Sequence, residues 1–312
     1  YLKYFVFIRE LLKDSNTEIP EYLNEIIFYL GQAFDFYFEE NDGRYLFNGS
    51  HNINIIALKK YFKDHNYKFK SKLNSLGGYS ILKNKKDKII IDLGSTPEKK
   101  YSKDYQSGAL SFEIFHDKEK VITNCGYFQN YDHKLNILSK STAAHSALSI
   151  DDRSSCKFKK DNSSHYTLEN TLRVSNKKIY CDEEIWELQG THDGYLKEYG
   201  ILHQRNIKFI PKELKYIGED RIICKKDFRK IGFDIRFHLM PETNAIKTQD
   251  KKSILLQLKK SGWKFTCNCE NFGLETGLYF GKKDTYIENR NIFINGEIIK
   301  EEEVINWEIK KI

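Results

Sequence analysis

The hydrophobic period of this 312-residue chain changes once, near Leu76-Gly77-Gly78, and that change bounds what the chain can fold into. Upstream, apolar residues recur at helical spacing. Between residues 21 and 39, Leu23, Ile26, Ile27, Leu30 and Phe34 fall on one helical face. Pro20 precedes them, where a first helical turn tolerates proline. The same spacing predicts helices over residues 2–12 and 53–62, with a turn signal at Asn41-Asp42-Gly43. Downstream the period is two. Short β-rich runs at residues 79–82, 88–93, 110–115, 121–123, 201–210, 233–239 and 291–294 are separated by Gly, Asn and Asp. Their connections are too short for crossover helices, so the strands are expected to pair antiparallel. So many strands in one domain need two packed sheets. No fixed-length repeat appears, which speaks against a propeller or solenoid. The reading is an α+β chain: helices over residues 1–72, then a large antiparallel β-sandwich over residues 73–312.

Composition narrows the function only by exclusion. Hydrophobic residues at 40% and aromatics at 14% describe a folded chain. No run of eighteen apolar residues exists, so no membrane-spanning helix is expected. The first residue is Tyr1 and the sole methionine is Met240. The chain is therefore expected to be cut from a longer one, and the missing leader says nothing of compartment. The net charge is +7, yet only nine of the 51 basic residues are Arg. Bidentate phosphate and carboxylate recognition favours Arg, so the charge reads as a solvated lysine surface and no nucleic-acid partner is expected. The six cysteines (Cys125, Cys156, Cys181, Cys224, Cys267 and Cys269) form no CxxC pair, which argues against a cysteine zinc site. Buried free thiols are expected.

Three segments carry the clearest motifs. They are Gly108-Ala109-Leu110-Ser111-Phe112-Glu113, Ile122-Thr123-Asn124-Cys125-Gly126-Tyr127, and Thr142-Ala143-Ala144-His145-Ser146-Ala147-Leu148-Ser149-Ile150-Asp151. Farther on come Thr191-His192-Asp193-Gly194-Tyr195 and Ile235-Arg236-Phe237-His238-Leu239. In this order and spacing they resemble the heparinase II/III-like family of polysaccharide lyases, from about residue 40 to the end. The resemblance implies the last helices of an α/α toroid followed by the family's β-sandwich, with substrate bound where the two meet. It implies β-elimination on a uronic-acid polysaccharide, hence an acidic polysaccharide as partner, and a periplasmic or cell-envelope location.

That chemistry needs a base at the proton beside the carboxylate, a group that neutralises the carboxylate as charge builds there, and an acid for the leaving oxygen. By the resemblance, Tyr131 stands where the family has a catalytic tyrosine. Asp104 stands where it has a histidine that assists at the carboxylate. Arg205, Arg236 and His192 are candidates for binding the sugar carboxylate. Of the family's structural metal ligands His145 is retained, while Gln106 and Asn124 replace a histidine and an aspartate, and Gly108 stands where an aspartate is usual. The expectation is therefore no cofactor, with the zinc site empty or weak unless His133 or Cys125 restores it. Two function classes stay open. One is the sandwich half of a lyase, with little activity by itself. The other is a non-catalytic carbohydrate-binding or structural module. A hydrolase with paired carboxylates ranks third, because the sequence offers no marked pair.

Overall fold

The computed structural model describes residues 1–38, 45–50, 55–226, 230–282 and 285–312. It divides into two compact units, one of residues 1–44 and 52–76, the other of residues 45–51 and 77–312.

The first unit is helical: α1 (Leu2–Asp14), α2 (Glu21–Tyr37) and α3 (Ile56–Asp64), closed by a two-residue strand, β1 (Ser75–Leu76). The predicted helices are present, the second starting at Glu21 directly after Pro20. Residues 39 and 41–43, and the start of the third predicted helix, lie outside the described residues. Leu2 and Val6 of α1 pack with Leu23 and Ile27 of α2 and Phe62 of α3. At Gly31 an added Cβ would fall within 2.0 Å of the Phe69 ring, so only glycine lets that ring reach the helix.

The second unit is built from antiparallel strands, as the two-residue period requires. Strands β2 (Tyr79–Lys83), β3 (Asp87–Asp92), β4 (Phe112–His116) and β5 (Glu119–Ile122) pair in succession. The largest sheet has eight strands, in the order β14 (Asn244–Lys247), β15 (Ile254–Gln257), β16 (Gly262–Cys267), β19 (Glu302–Lys311), β12 (Lys215–Cys224), β11 (Ile201–Ile210), β10 (Trp186–His192) and β9 (Val174–Cys181). A four-stranded sheet runs β17 (Phe272–Tyr279), β18 (Ile287–Ile298), β13 (Ile231–His238) and β6 (Leu148–Ile150). A small hairpin joins β7 (Phe158–Lys160) to β8 (Tyr166–Leu168). Along β11 buried and half-buried residues alternate without a break, so one face enters the core. The core closes where three sheets meet. Trp307 of β19 stacks on Phe112 of β4 at 5.4 Å and meets Phe237 of β13 edge-on at 5.0 Å. A bridge between Thr123 and His238 joins the end of the first sheet to the four-stranded one. Among the described residues the longest helix after residue 80 is α4 (Lys134–Lys140), followed by the single turn α5 (Leu196–Tyr199).

No disulfide forms among the described cysteines. The expectation of buried thiols holds for Cys125 and Cys156 only: Cys181 is exposed, and Cys224, Cys267 and Cys269 are half-buried. No described helix is long and apolar enough to cross a membrane.

Candidate functional site

The motif segments are structural before they are anything else. Glu113 is wholly buried and gathers three donors on Oε1: Leu46 N, Thr123 Oγ1 and Asn124 N. Lys120 neutralises its Oε2 at 2.9 Å. Ser146 accepts from His238 N and donates to Thr123 O. These bonds fix the loops that carry the candidate side chains.

Asp104 and Tyr131, read from separate motifs, come together. The Tyr131 hydroxyl donates to Asp104 Oδ1 at 3.0 Å, on an exposed surface. The Tyr127 hydroxyl reaches the same oxygen at 3.4 Å and accepts from Asn136 Nδ2 at 3.1 Å. The Lys103 ammonium lies 4.5 Å from the Tyr131 ring centroid, and His165 meets that ring edge-on at 4.5 Å. Behind the loop, the buried Lys140 ammonium donates to the carbonyls of Lys103 and Tyr105, which flank Asp104. It also faces the Tyr127 ring at 5.3 Å. Burial pulls the Lys140 pKa down to about 8, against the pull of Asp104. The Tyr131 pKa is raised, by burial first and then by Asp104, with Lys103 opposing. A raised value keeps the phenol protonated near neutral pH, so the group is a hydrogen-bond donor rather than a ready base.

The three positions implied as metal ligands are all buried, and their donor set does not fit a metal. Gln106 donates through Nε2 to Gly126 O and Ser139 O and accepts from Gly49 N on Oε1. Asn124 Oδ1 accepts from Ser146 N at 2.8 Å, leaving Nδ2 buried without a partner. His145 donates from Nδ1 to Ser141 O at 2.8 Å, which leaves its Nε2 lone pair buried and unpartnered. Burial lowers the His145 pKa to about 4. Gly108 touches this ring: a Cβ there would lie 2.6 Å from His145 Cδ2. Neither rescuing residue joins. His133 is exposed and caps α4 by accepting from Leu135 N. Cys125 faces His238 Nδ1 at 3.2 Å, while His238 donates from Nε2 to Ala143 O. Among the described residues no three His, Cys, Asp or Glu side chains gather as a metal-binding group.

Two of the substrate-binding expectations are corrected. Arg205 is fully buried and forks onto Asp220 through Nε (2.7 Å) and Nη2 (3.1 Å). Its Nη1 donates to Leu110 O and Ser146 O, tying two of the motif segments together. Leu110 holds a left-handed backbone (φ 60°), with its N–H on Asp92 O and its carbonyl accepting from Arg205. His192 is also interior. Its Nδ1 accepts from Gly194 N, so Nε2 carries the proton and donates to His203 Nδ1; His203 Nε2 then donates to Asp220. Neither side chain can reach a polymer at the surface. Arg236 is half-buried and its guanidinium is already paired with Glu275 at 2.8 Å.

Sequence reasoning missed Lys140, Tyr127, Asn136, His203 and Asp220. Nothing marks one lysine among so many as interior. The His192–His203–Asp220 line is made by register, which sets His192 opposite His203 and Asp220 diagonal to His203 on the next strand, and no single strand's sequence contains it.

Comparison with known proteins follows this geometry. The family described as "Heparinase II/III-like, C-terminal" matches residues 68–308. Among curated proteins, FtsZ-localized protein C of Caulobacter vibrioides is 24% identical over 186 residues, 56% of this chain and 32% of that protein. Among solved structures, heparan sulfate lyase HepC from Pedobacter heparinus superposes with a TM-score of 0.73 at 14% identity, covering 99% of this chain and 52% of that one. A heparinase III (the BT4657 gene product) superposes at 0.71 and 13% identity, over 94% and 47%. The chain thus spans about half the length of these structures and a third of the curated relative. At such identities the structures show a shared fold.

Proposed function

The chain belongs to the heparinase II/III-like family, within its C-terminal part, and from that premise we propose that it is the sandwich half of a protein that cleaves an acidic, uronate-containing polysaccharide by β-elimination. One observation carries the reading. Asp104 and Tyr131, 27 residues apart and singled out by different motifs, meet at 3.0 Å on an open surface. Elimination removes the proton beside the uronate carboxylate, places that electron pair in a carbon–carbon double bond, and breaks the bond to the glycosidic oxygen. Tyr131, protonated and half-exposed, donates its hydrogen to that leaving oxygen. The base and the carboxylate clamp come from outside these residues in this reading. The outward apolar row Tyr4, Phe7, Ile8 and Leu11 of α1 supports taking the helices as the end of a longer toroid.

A second reading has its own observation. Asp104 places an anion where the resemblance implies an imidazole, and like charge repels a uronate. On that reading the sandwich binds or scaffolds without cleaving. Incubating the longer protein that contains this sequence with heparan sulfate, alginate and other uronate polymers separates the two, because elimination creates an ultraviolet-absorbing unsaturated end. The proposal expects that absorbance to appear and to fall ~100-fold or more in Tyr131→Phe, with polymer binding retained. Binding of the polymers with no unsaturated product makes the second reading the correct one.

A further inference from the structure

The buried Gln106 side chain is a hydrogen-bond junction. Gln106 engages both functions of its amide, giving two bonds from Nε2 and receiving one on Oε1. These bonds tie the Asn48-Gly49 turn, the Gly126 turn and the end of α4 to a single side chain. An imidazole offers only two ring nitrogens and cannot make all three bonds. Asn124 is locked in one orientation, because its Oδ1 accepts the Ser146 N–H and so its Nδ2 protons face the interior. A carboxylate at this position keeps the Ser146 bond and presents a second, anionic oxygen. The amide presents positive hydrogens instead, which a cation avoids.

We infer that the Gln106 amide has taken over the cross-linking work of a metal in this interior, and that Asn124 bars a cation from it. The second unit, residues 77–312 with the 45–51 segment, is therefore stable without a divalent ion and takes none up there. This holds whether or not the protein cleaves a polysaccharide.

The test uses the chain purified without chelator and incubated with zinc chloride. Elemental analysis is expected to find zinc well below one per chain, and thermal unfolding to be the same with and without EDTA. One tightly held zinc per chain, or a Tm lowered by EDTA, overturns the inference. Gln106→Leu is expected to lower Tm equally with and without zinc, since the amide is the tie; rescue by zinc shows that the ion was the tie all along. The double variant Gln106→His/Asn124→Asp restores the imidazole and the carboxylate that the resemblance implies as metal partners of His145, whose Nε2 is buried and unpartnered. Its Tm is expected to rise with zinc and fall back with EDTA. A folded double variant indifferent to zinc refutes the claim that these two side chains exclude it.

Discussion

Arg205 shows how much a single residue can hold. Its guanidinium neutralises Asp220, which also receives the Trp307 indole N–H at 2.8 Å and the His203 ring. The Arg205 charge is the leading favourable influence on Asp220, followed by His203, and together they hold its carboxyl well below the usual range despite complete burial. Arg205→Met removes the cation and leaves a buried carboxylate facing two neutral donors. The expected loss is about 3–5 kcal/mol in urea unfolding, and a loss under about 1 kcal/mol would show that the pair is dispensable. Tyr131 is the contrasting case. Its hydroxyl sits at the surface, so Tyr131→Phe is expected to shift stability by no more than about 0.5 kcal/mol. A larger loss in the same urea titration would mark Tyr131 as a structural residue and weaken its proposed role.

At the scale of elements, the centre of the eight-stranded sheet depends on a small residue facing a large one. Gly218 of β12 pairs with Trp307 of β19, and a Cβ at Gly218 would lie 2.0 Å from the indole ring. Gly218→Ala must push Trp307 off the Phe112 ring and away from Asp220. Overpacking of this kind costs about 1–3 kcal/mol, read as a lower urea midpoint with the slope unchanged; an unaltered midpoint would mean the indole has room to move. Such pairings explain which elements the sequence makes legible. The run at residues 201–210 is predicted to the residue, although the alternation of burial along it is carried in part by the polar His203 and Arg205. β9 is exposed along nearly its whole length, so no buried face imprints a period on its sequence, and it was not among the clear runs. The candidate site divides the same way. Asp104 and Tyr131 were reachable through motif order, while Lys140 was not, because its burial follows from the carbonyls it holds and not from any local pattern. Arg205 and His192 were misread because a strand residue's facing partner is set by register, which a single strand's sequence does not contain.

For the whole molecule, the buried titratable groups together set a direction for acid stability. His145, His192, His203 and His238 are all fully buried, and burial is the leading cause that lowers each pKa from the ordinary 6.5. The values reach about 4 for His145 and about 3 for His238. Below pH 6.5 the unfolded chain therefore binds protons that the fold refuses, and stability falls as pH falls. The slope is up to ~1.4 kcal/mol per pH unit for each group. The loss for His145 is complete near pH 4 and for His238 near pH 3. Among the described residues, one carboxylate acts in the opposite sense. Asp92 is pushed up to about 7, chiefly by burial, so the fold holds its proton between pH 7 and the ordinary 3.8 and gains stability as pH falls through that window. Among the described residues, four groups against one set the sign between pH 6.5 and 4. Near the ordinary carboxylate value Asp220 joins the histidines, because its lowered pKa makes the unfolded chain the first to take the proton. Thermal unfolding at constant ionic strength is thus expected to give a lower Tm at pH 5 than at pH 7, and a steeper decline below pH 4. Asp92→Asn, which keeps the shape and removes the opposing group, is expected to steepen the fall between pH 7 and 5. A Tm that holds level or rises from pH 7 to pH 5 in the unmodified chain would mean that these imidazoles accept protons inside the fold. The neutral His192–His203–Asp220 relay drawn from their hydrogen bonds could not then stand.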